Sequence, residues 1–419
     1  MNEVNMQGVQ GVQGKVDSRA MREINRSIVL DIIRRGGKVS RTDLAKRSAL
    51  TKPTVSAIVE DLLARGIVQE VGYGKTVGGG GRRARLLEFN DASAAYLGLR
   101  FGVRTTGIGI ADARGGLRAV REIPSAHGDP ERGIAEALTV VDELLEEANV
   151  PRARLQGVGV AVPGLVSQAS GLVELAPNLH WKQVPVRGIV RQALGLPVAV
   201  VNDTHAGALA EARCGAARGV RSFVWVYVGT GVGAGIVIDG QVFHGHTGFS
   251  GEIGHCPVVM DGPECSCGLR GCLEAVASGW AIGRAAQQAV ERGESTLLAG
   301  ANRPLDARAV ADAARAGDRV AQGILADVGS YIGMGISTLV NLLDPEMVVL
   351  GGGVMSGADY IIEAARESMN KHTLRGGGVR IVPGALGDRV GLVGALLSAM
   401  DQSVRSYRVV ATSERAQLG

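Results

Sequence analysis

Four residues with metal-binding donor atoms, His255, Cys265, Cys267 and Cys272, fall within eighteen positions. One imidazole and three thiols are a sufficient tetrahedral shell for a structural zinc ion. The stretch reads Gly-Phe-Ser-Gly-Glu-Ile-Gly-His from Gly248 to His255, then nine residues, then Cys-Ser-Cys-Gly-Leu-Arg-Gly-Cys-Leu-Glu from Cys265 to Glu274. Gly268 and Gly271 let the chain turn between thiolates, because glycine takes positive φ cheaply. A disulfide is the competing use, but no apolar leader segment precedes the first helix, and a reducing cytoplasm is expected. Cys214 and Cys256 fall outside the spacing and read as packed thiols. His244 and His246 read as loop residues.

A second set of polar residues sits at the end of a short apolar run. Asn202-Asp203 follows Val198–Val201, where α/β proteins commonly place ligands. An amide and a carboxylate together can fix two adjacent hydroxyls; a turn or helix cap is the plain alternative for such a pair. Glu252 and Glu274 add acceptors nearby in the pattern. The glycine runs Gly229–Gly233 and Gly351–Gly353 could cradle phosphate or simply connect strands tightly.

Basic residues concentrate near the start. Residues 15–89 contain sixteen Lys/Arg against eight Asp/Glu, so this stretch carries +8 while the remainder carries −4 of the total +4. Such a front end suits a polyanion. Ile24, Ile28, Val29, Ile32 and Ile33 have helical spacing that Gly36-Gly37 stops. Ser40-Arg-Thr-Asp43 starts a short second helix, and Thr51 with Pro53 starts a third. Lys52, Thr54 and Ser56 would then face a DNA major groove. Two strands follow, around Ile67-Val68 and Leu86–Phe89. The Gly-rich stretch between them ends in Arg82, Arg83 and Arg85, a wing suited to phosphate or minor-groove contact. Residues 21–89 therefore read as a winged helix-turn-helix, and residues 1–20, with a Val-Gln-Gly repeat, as a disordered leader.

Past Asn90 strands and helices alternate. Strands are expected at 96–101, 106–110, 156–162, 198–201, 222–228, 235–238 and 347–350, with helices at 134–148, 273–291, 307–316 and 319–342. So many strands need two lobes of mixed sheet flanked by helices. Apolar residues make up 46% of the chain and aromatics 3%, so the cores must be aliphatic. No run of eighteen apolar residues occurs, and no membrane-spanning segment is expected.

Glu-x-Gly-His followed by Cys-x-Cys-Gly-x-x-Gly-Cys-x-Glu resembles the signature of the ROK family of bacterial repressors and sugar kinases, over about residues 21–400. The resemblance implies an actin/hexokinase-like pair of lobes with a sugar in the cleft. The lobes would span 90–205 and 206–385, the helix at 386–402 would return to the first, and 403–419 would be a tail. It also implies sugar contact by the positions of Asn202, Asp203, Glu252, His255 and Glu274, bordered by loops at Pro163-Gly164 and Asn178-Leu179, with zinc holding His255 and Glu274 in place. The winged helix matches the DNA-binding half of the family's repressors, which act as homodimers or larger homo-oligomers. Kinases of the family carry Asp-x-Gly-Gly-Thr after the first strand, and Asp203 matches their catalytic base. This chain instead reads Arg100-Phe-Gly102-Val103-Arg104. A cation cannot hold magnesium, and a β-branched side chain blocks close approach to phosphate.

The resulting expectation is a cytoplasmic, non-enzymatic regulator, a repressor that binds operator DNA and answers to a monosaccharide, small oligosaccharide or sugar phosphate. Arg100 and Arg104 read as structural replacements, with a grip on a sugar phosphate as the alternative. The rival readings are an ATP-dependent sugar kinase with an appended DNA-binding head, a regulator released by a protein partner, and an activator.

Overall fold

The computed structural model describes residues 18–74, 83–126, 128–300, 303–374 and 377–413. The chain divides into two compact units, Met1–Ala94 and Ala95–Gly419. The expected disorder of the first residues falls largely outside the described part, although the first helix already begins at Ser18. Gly78–Gly81 and Arg82 of the wing also lie outside it.

The first unit contains α1 (Ser18–Gly36), β1 (Val39–Ser40), α2 (Arg41–Ser48), α3 (Lys52–Ala64), β2 (Val68–Tyr73) and β3 (Arg85–Phe89), with an antiparallel sheet ordered β1-β3-β2. Both inner helices start on side-chain caps. Ser40 Oγ accepts from the Asp43 N–H at 3.2 Å and donates to Asp43 Oδ2 at 2.7 Å. Thr51 Oγ1 accepts from the Thr54 N–H at 3.4 Å, with Pro53 in the first turn. Such caps satisfy the orphan donors that every helix start leaves. Val29, Ile33, Leu44, Val55, Val59, Leu62 and Leu87 form the core. Ile24 and Ile28, which share the apolar helical spacing of α1, are 46% and 39% exposed.

The second unit opens with a meander of β4 (Ala95–Phe101), β5 (Thr105–Asp112) and β6 (Leu117–Pro124). Helices α4 (Pro130–Thr139) and α5 (Val141–Glu147) follow, then β7 (Leu155–Val162). A small three-stranded flap, β8 (Leu165–Ser167), β9 (Leu172–Ala176) and β10 (Trp181–Val184), was not anticipated. It leads through α6 (Val186–Leu194) to β11 (Val198–Asn202) and α7 (Asp203–Cys214). The sheet order is β11-β7-β4-β5-β6, with β7 parallel to both β4 and β11. The single helix expected over 134–148 begins earlier, on an Asp129 cap, and is interrupted at Val140.

The second lobe repeats this order. Its strands are β12 (Phe223–Val228), β13 (Val232–Ile238), β14 (Gln241–Phe243), β15 (Met347–Gly351) and β16 (Arg380–Pro383), arranged β14-β13-β12-β15-β16. Between β14 and β15 lie α8 (Leu273–Ala277), α9 (Gly279–Glu291), α10 (Ala307–Arg315) and α11 (Arg319–Leu343), and α12 (Ala358–His372) precedes β16. Ser278 adopts extended backbone between α8 and α9 and caps α9, splitting the helix expected over 273–291. Helix α11 is long and apolar enough to cross a membrane by length and composition. Its apolar face is instead spent on the core, with Leu325, Val328, Ile332 and Ile336 packed among residues of α10, α12 and β15.

The last helix, α13 (Val390–Ser413), follows the second lobe in sequence but packs on β4, β7, β11 and α7. It runs eleven residues past its expected end at 402, so 403–413 is helix rather than tail. Its approach is close enough to need glycine: a Cβ on Gly159 of β7 would collide with the Ala395 carbonyl oxygen. Because backbone cannot yield as a flexible side chain can, Gly159→Ala is expected to destabilise the second unit by about 3 kcal/mol or more. All three tryptophans, Trp181, Trp225 and Trp280, lie in this unit, so denaturant unfolding followed by tryptophan fluorescence measures the loss directly.

Candidate functional site

Two glycine turns and two strand ends build a cavity between the lobes. Its walls include Arg100 near the end of β4 and Gly102 and Val103 after it, Gly164 and Asn178 from the flap side, Asn202 and Asp203 at the β11–α7 junction, and Tyr227 and Gly231 from the second lobe. Glu252, His255 and Glu274 complete it. The sequence-predicted residues Asn178, Gly164, Asn202, Asp203, Glu252, His255 and Glu274 therefore share one cavity of about 80 Å³. Such a volume is small against the several hundred Å³ of clefts that take larger ligands. A larger cavity, about 660 Å³, lies beside Asn341, Met369 and Leu374. The Glu346 carboxylate on its rim is already committed to the Arg221 and Ser222 N–H groups.

The polar groups of the small cavity differ in how free they are. Asn202 Oδ1 accepts from Thr204 N (2.8 Å), Thr204 Oγ1 (2.6 Å) and His205 N (3.2 Å), while Nδ2 donates to the Gly164 carbonyl at 2.8 Å. It therefore caps α7 and ties the flap to it, leaving one amide hydrogen for a ligand. The Glu274 carboxylate, 8% exposed, accepts from the Val232 N–H at 3.0 Å and from Ser266 Oγ at 3.1 Å. A Cβ on Gly231 would press on Glu274 and on Asn178 Nδ2, so glycine there lets both side chains enter. Among the described residues the Glu252 carboxylate has no such backbone clamp, and His255 Nε2 approaches it only to 3.9 Å. Burial raises the Asp203 carboxyl, opposed by the neighbouring Arg100 charge and by backbone N–H groups. Burial, then Asp203 and Glu274, push Glu252 up to about 7.

His255 joins this cavity to the cysteine cluster. Its Nε2 lies 3.9 Å from Glu252 Oε2, and its Nδ1 lies 3.7 Å from Cys265 Sγ. Cys267 Sγ and Cys272 Sγ are 3.8 Å apart, and one ligand atom from each of the four residues lies within 4.8 Å of the others. A tetrahedron with metal–sulfur bonds of about 2.3 Å has edges of roughly 3.8 Å, so the donor set fits zinc in both chemistry and spacing. Gly268 and Gly271 take φ of +87° and +71°, as the tight turns between the cysteines require. Burial, with hydrogen bonds from Cys267 and Cys265, pushes the Cys272 thiol up to about 12. Cys214 and Cys256 lie outside the cluster and are exposed, not packed as expected.

Sequence reasoning missed a histidine pair behind the site. His205 of α7 is buried, and its Nε2 donates to the Ser250 carbonyl at 3.0 Å. Its Nδ1 lies 3.3 Å from His244 Nδ1, which also contacts Gln168 Nε2 at 3.2 Å. His244 is thus a packed partner rather than a plain loop residue. The pair anchors the segment carrying Glu252, and the one available signal was His205 lying three residues after Asn202. Burial and then His244 lower His205 to about 4 from 6.5. The folded pKa is depressed, so the unfolded chain takes up the proton first and stability falls as pH drops below 6.5. Between about pH 7 and about pH 5 this one group is expected to remove about 2 kcal/mol. His205→Gln should flatten that part of the pH–stability curve, read by tryptophan-monitored unfolding.

In the first unit, Lys52 and Arg83 are exposed, and Thr54 and Ser56 are partly so. Thr54 Oγ1 shares a hydrogen bond with Thr51 Oγ1 at 2.8 Å. Arg85 is held by Glu70, which also binds Arg41, so its guanidinium is engaged within the sheet.

A two-lobed module with a duplicated 3-2-1-4-5 sheet, a polar cleft and a preceding winged helix defines a class: a sugar-kinase-type fold joined to a DNA-binding head. Residues 96–402 match the ROK family, to which the chain belongs, and residues 24–75 match the MarR family. A xylose repressor from Caldicellulosiruptor bescii is 34% identical over 356 residues, covering 84% of this chain and 89% of that protein. The crystal structure of a ROK family transcriptional regulator, a homologue of the E. coli Mlc protein, superposes with a TM-score of 0.79 at 29% identity, covering 92% of this chain and 96% of the other. A ROK glucokinase from Streptomyces griseus, solved with glucose and AMPPNP, gives a TM-score of 0.66 at 30% identity over 74% of this chain and all of its own.

Proposed function

We propose that the chain is a sugar-responsive transcriptional repressor that binds operator DNA through its winged helix and senses a neutral monosaccharide in the cleft. The observation that carries this reading is the combination of a DNA-binding head with a polar cavity lined by Asn202, Asp203, Glu252 and Arg100, and Arg100, Val103 and Arg104 would stand where the resemblance puts the kinases' phosphate loop. Similarity to the xylose repressor and to the Mlc homologue supports it, and the xylose repressor together with the glucose-bound ROK glucokinase makes D-xylose and D-glucose the first sugars to try. Lys52, Thr54 and Ser56 would read bases, while Arg82 and Arg83 would meet phosphates or the minor groove. Arg85 would serve the wing through Glu70 as much as DNA directly. One short recognition helix reads few bases, so a homodimer or homotetramer on a palindromic operator follows, in the cytoplasm where the chromosome lies.

Asp203, Glu252 and one amide hydrogen of Asn202 would hold sugar hydroxyls, with Glu274, Asn178 and Gly164 shaping the pocket. Zinc would be bound by His255 Nδ1, Cys265, Cys267 and Cys272. Its chemistry there is structural: it would neutralise the thiolates and fix the ring so that Nε2 faces the ligand.

The test is fluorescence anisotropy on selected genomic fragments at fixed salt, with and without D-xylose, D-glucose and their phosphates. Sequence-specific binding weakened by a free sugar is the expected result. Specific binding that ignores every sugar would shift the assignment to a protein partner. ATP consumption with a hexose would revive the kinase reading.

A further inference from the structure

Two arginines at the end of β4 and in the turn after it, Arg100 and Arg104, face the other lobe. The Arg100 side chain runs past Gly391 at the start of α13, with Cδ 3.2 Å from where a Cβ would stand there. Its Nη1 is 3.1 Å from the corresponding point on Gly102. Arg100 lines the same small cavity as Asp203 and as Tyr227, a residue of β12 in the second sheet, and its charge acts on both groups. The Tyr227 hydroxyl in turn lies over Gly229, the first glycine of the turn expected to cradle phosphate. Arg104 Nη1 approaches Asp306 Oδ2, at the cap of α10, to 3.7 Å.

That turn is partly committed within the protein. Its Gly229 N–H donates to the Gly231 carbonyl at 2.8 Å, and its Val232 N–H is taken by Glu274. The cavity also holds three carboxyls, Asp203, Glu252 and Glu274, against one arginine and His255. Such a wall repels a phosphorylated ligand. An arginine fork, with five donors in one plane, can face Asp203 and Tyr227 together and still leave lone pairs on the carboxylate for a hydroxyl.

Taking the sugar-cleft reading as its basis, we propose that Arg100 is a positioning residue and interlobe latch. It presents from the first lobe the positive charge that a metal–nucleotide would bring to Asp203, so that a neutral sugar alone closes the cleft. Arg104–Asp306 is an outer, solvent-exposed contact of the same kind and contributes little. The groups facing Asp203 and its partner are Arg100, Tyr227, Glu252, Glu274, His255 and, beyond Tyr227, Asp388. Without Arg100 the carboxyl keeps its burial and loses its counter-charge, so it would hold a proton to higher pH.

The experiment is calorimetry on the full-length protein with whichever of D-xylose and D-glucose binds more tightly, across pH, with and without Mg-AMPPNP. R100M is expected to weaken binding by at least about tenfold, the scale of one charge-assisted hydrogen bond. It should also move the acid limb of the affinity–pH profile toward neutrality. R100K keeps the charge without the fork, so it should restore the pH limb and only part of the affinity, a split that a general loss of folding would not give, and R104Q should lose less than about threefold. Wild-type affinity should be indifferent to Mg-AMPPNP. A wild-type affinity and pH profile in R100M, or a sugar affinity that rises with Mg-AMPPNP, would overturn the latch while leaving the sugar cleft in place. Sugar binding that survives D203A unchanged would overturn the cleft reading and the latch with it.

Discussion

Replacing Asp203 with alanine is expected to remove the sugar response of operator binding while leaving operator affinity within about threefold of the parent. The carboxylate stands on the cavity wall at the first residue of α7. The helix does not depend on it for its start, because Asn202 supplies the cap. Losing a hydrogen-bonding partner of this charged kind costs about 1.5–3 kcal/mol, a factor of roughly 10 to 150 in sugar affinity. Removing the acid also leaves Arg100 facing Tyr227 alone, which adds to the loss. Calorimetry with the sugar and anisotropy with operator, run on one preparation, separate the two effects. Equal sugar sensitivity in variant and parent would take Asp203 out of the site and overturn the cleft reading with it.

Cys267→Ser should abolish stoichiometric zinc binding and loosen the segment between Cys256 and Gly271. Its apolar support is small: the local cluster is Cys265, Cys272 and Ala275, Met260 and Leu269 are exposed, and the turns are otherwise tied by backbone hydrogen bonds such as Cys265 N–H to the Leu269 carbonyl at 2.8 Å. Two isolated bridges, Pro257 with Cys272 and Glu264 with Arg270, are its sheet-like contacts among the described residues. Metal binding is therefore expected to supply much of the local folding free energy. Sugar affinity should fall as well, because Ser266 beside Cys265 holds Glu274, and His255 faces Glu252. Elemental analysis of the purified protein, thermal unfolding and limited proteolysis read the three consequences. Unchanged metal content together with unchanged unfolding would refute a zinc site.

The parts of the molecule that were legible in sequence share a local cause. Helix starts at Ser40 and Thr51 follow from side chains that cap their own backbone three residues on, and the donor cluster follows from cysteines and glycines a few positions apart. What could not be read depends on contacts across long separations. The flap of β8–β10 is three short strands whose pairing is set by packing against the first lobe, not by a repeating pattern. The exposure of Ile24 and Ile28 on α1 likewise needs knowledge of which side the sheet covers. Asn202 was read for its hydrogen-bonding capacity, yet most of that capacity is used internally, by α7 and by Gly164 thirty-eight positions earlier. His205 and His244, thirty-nine positions apart, meet because two lobes fold toward one another.

The return of α13 to the first lobe bears on how the molecule is made. The strands that it covers, β4, β7 and β11, are all synthesised by Asn202, but Leu392, Ala395 and Leu396, which press on Gly109, Gly159 and Gly98, come about 190 residues later. At roughly 5–20 residues per second, a ribosome needs on the order of ten to forty seconds to deliver them. During that interval the nascent first sheet presents an uncovered aliphatic face, whereas the winged-helix unit, complete in its first 94 residues, can fold at once. Newly made chains should therefore acquire a folded head well before a folded body, and the interval between the two is where a chaperone would be needed most.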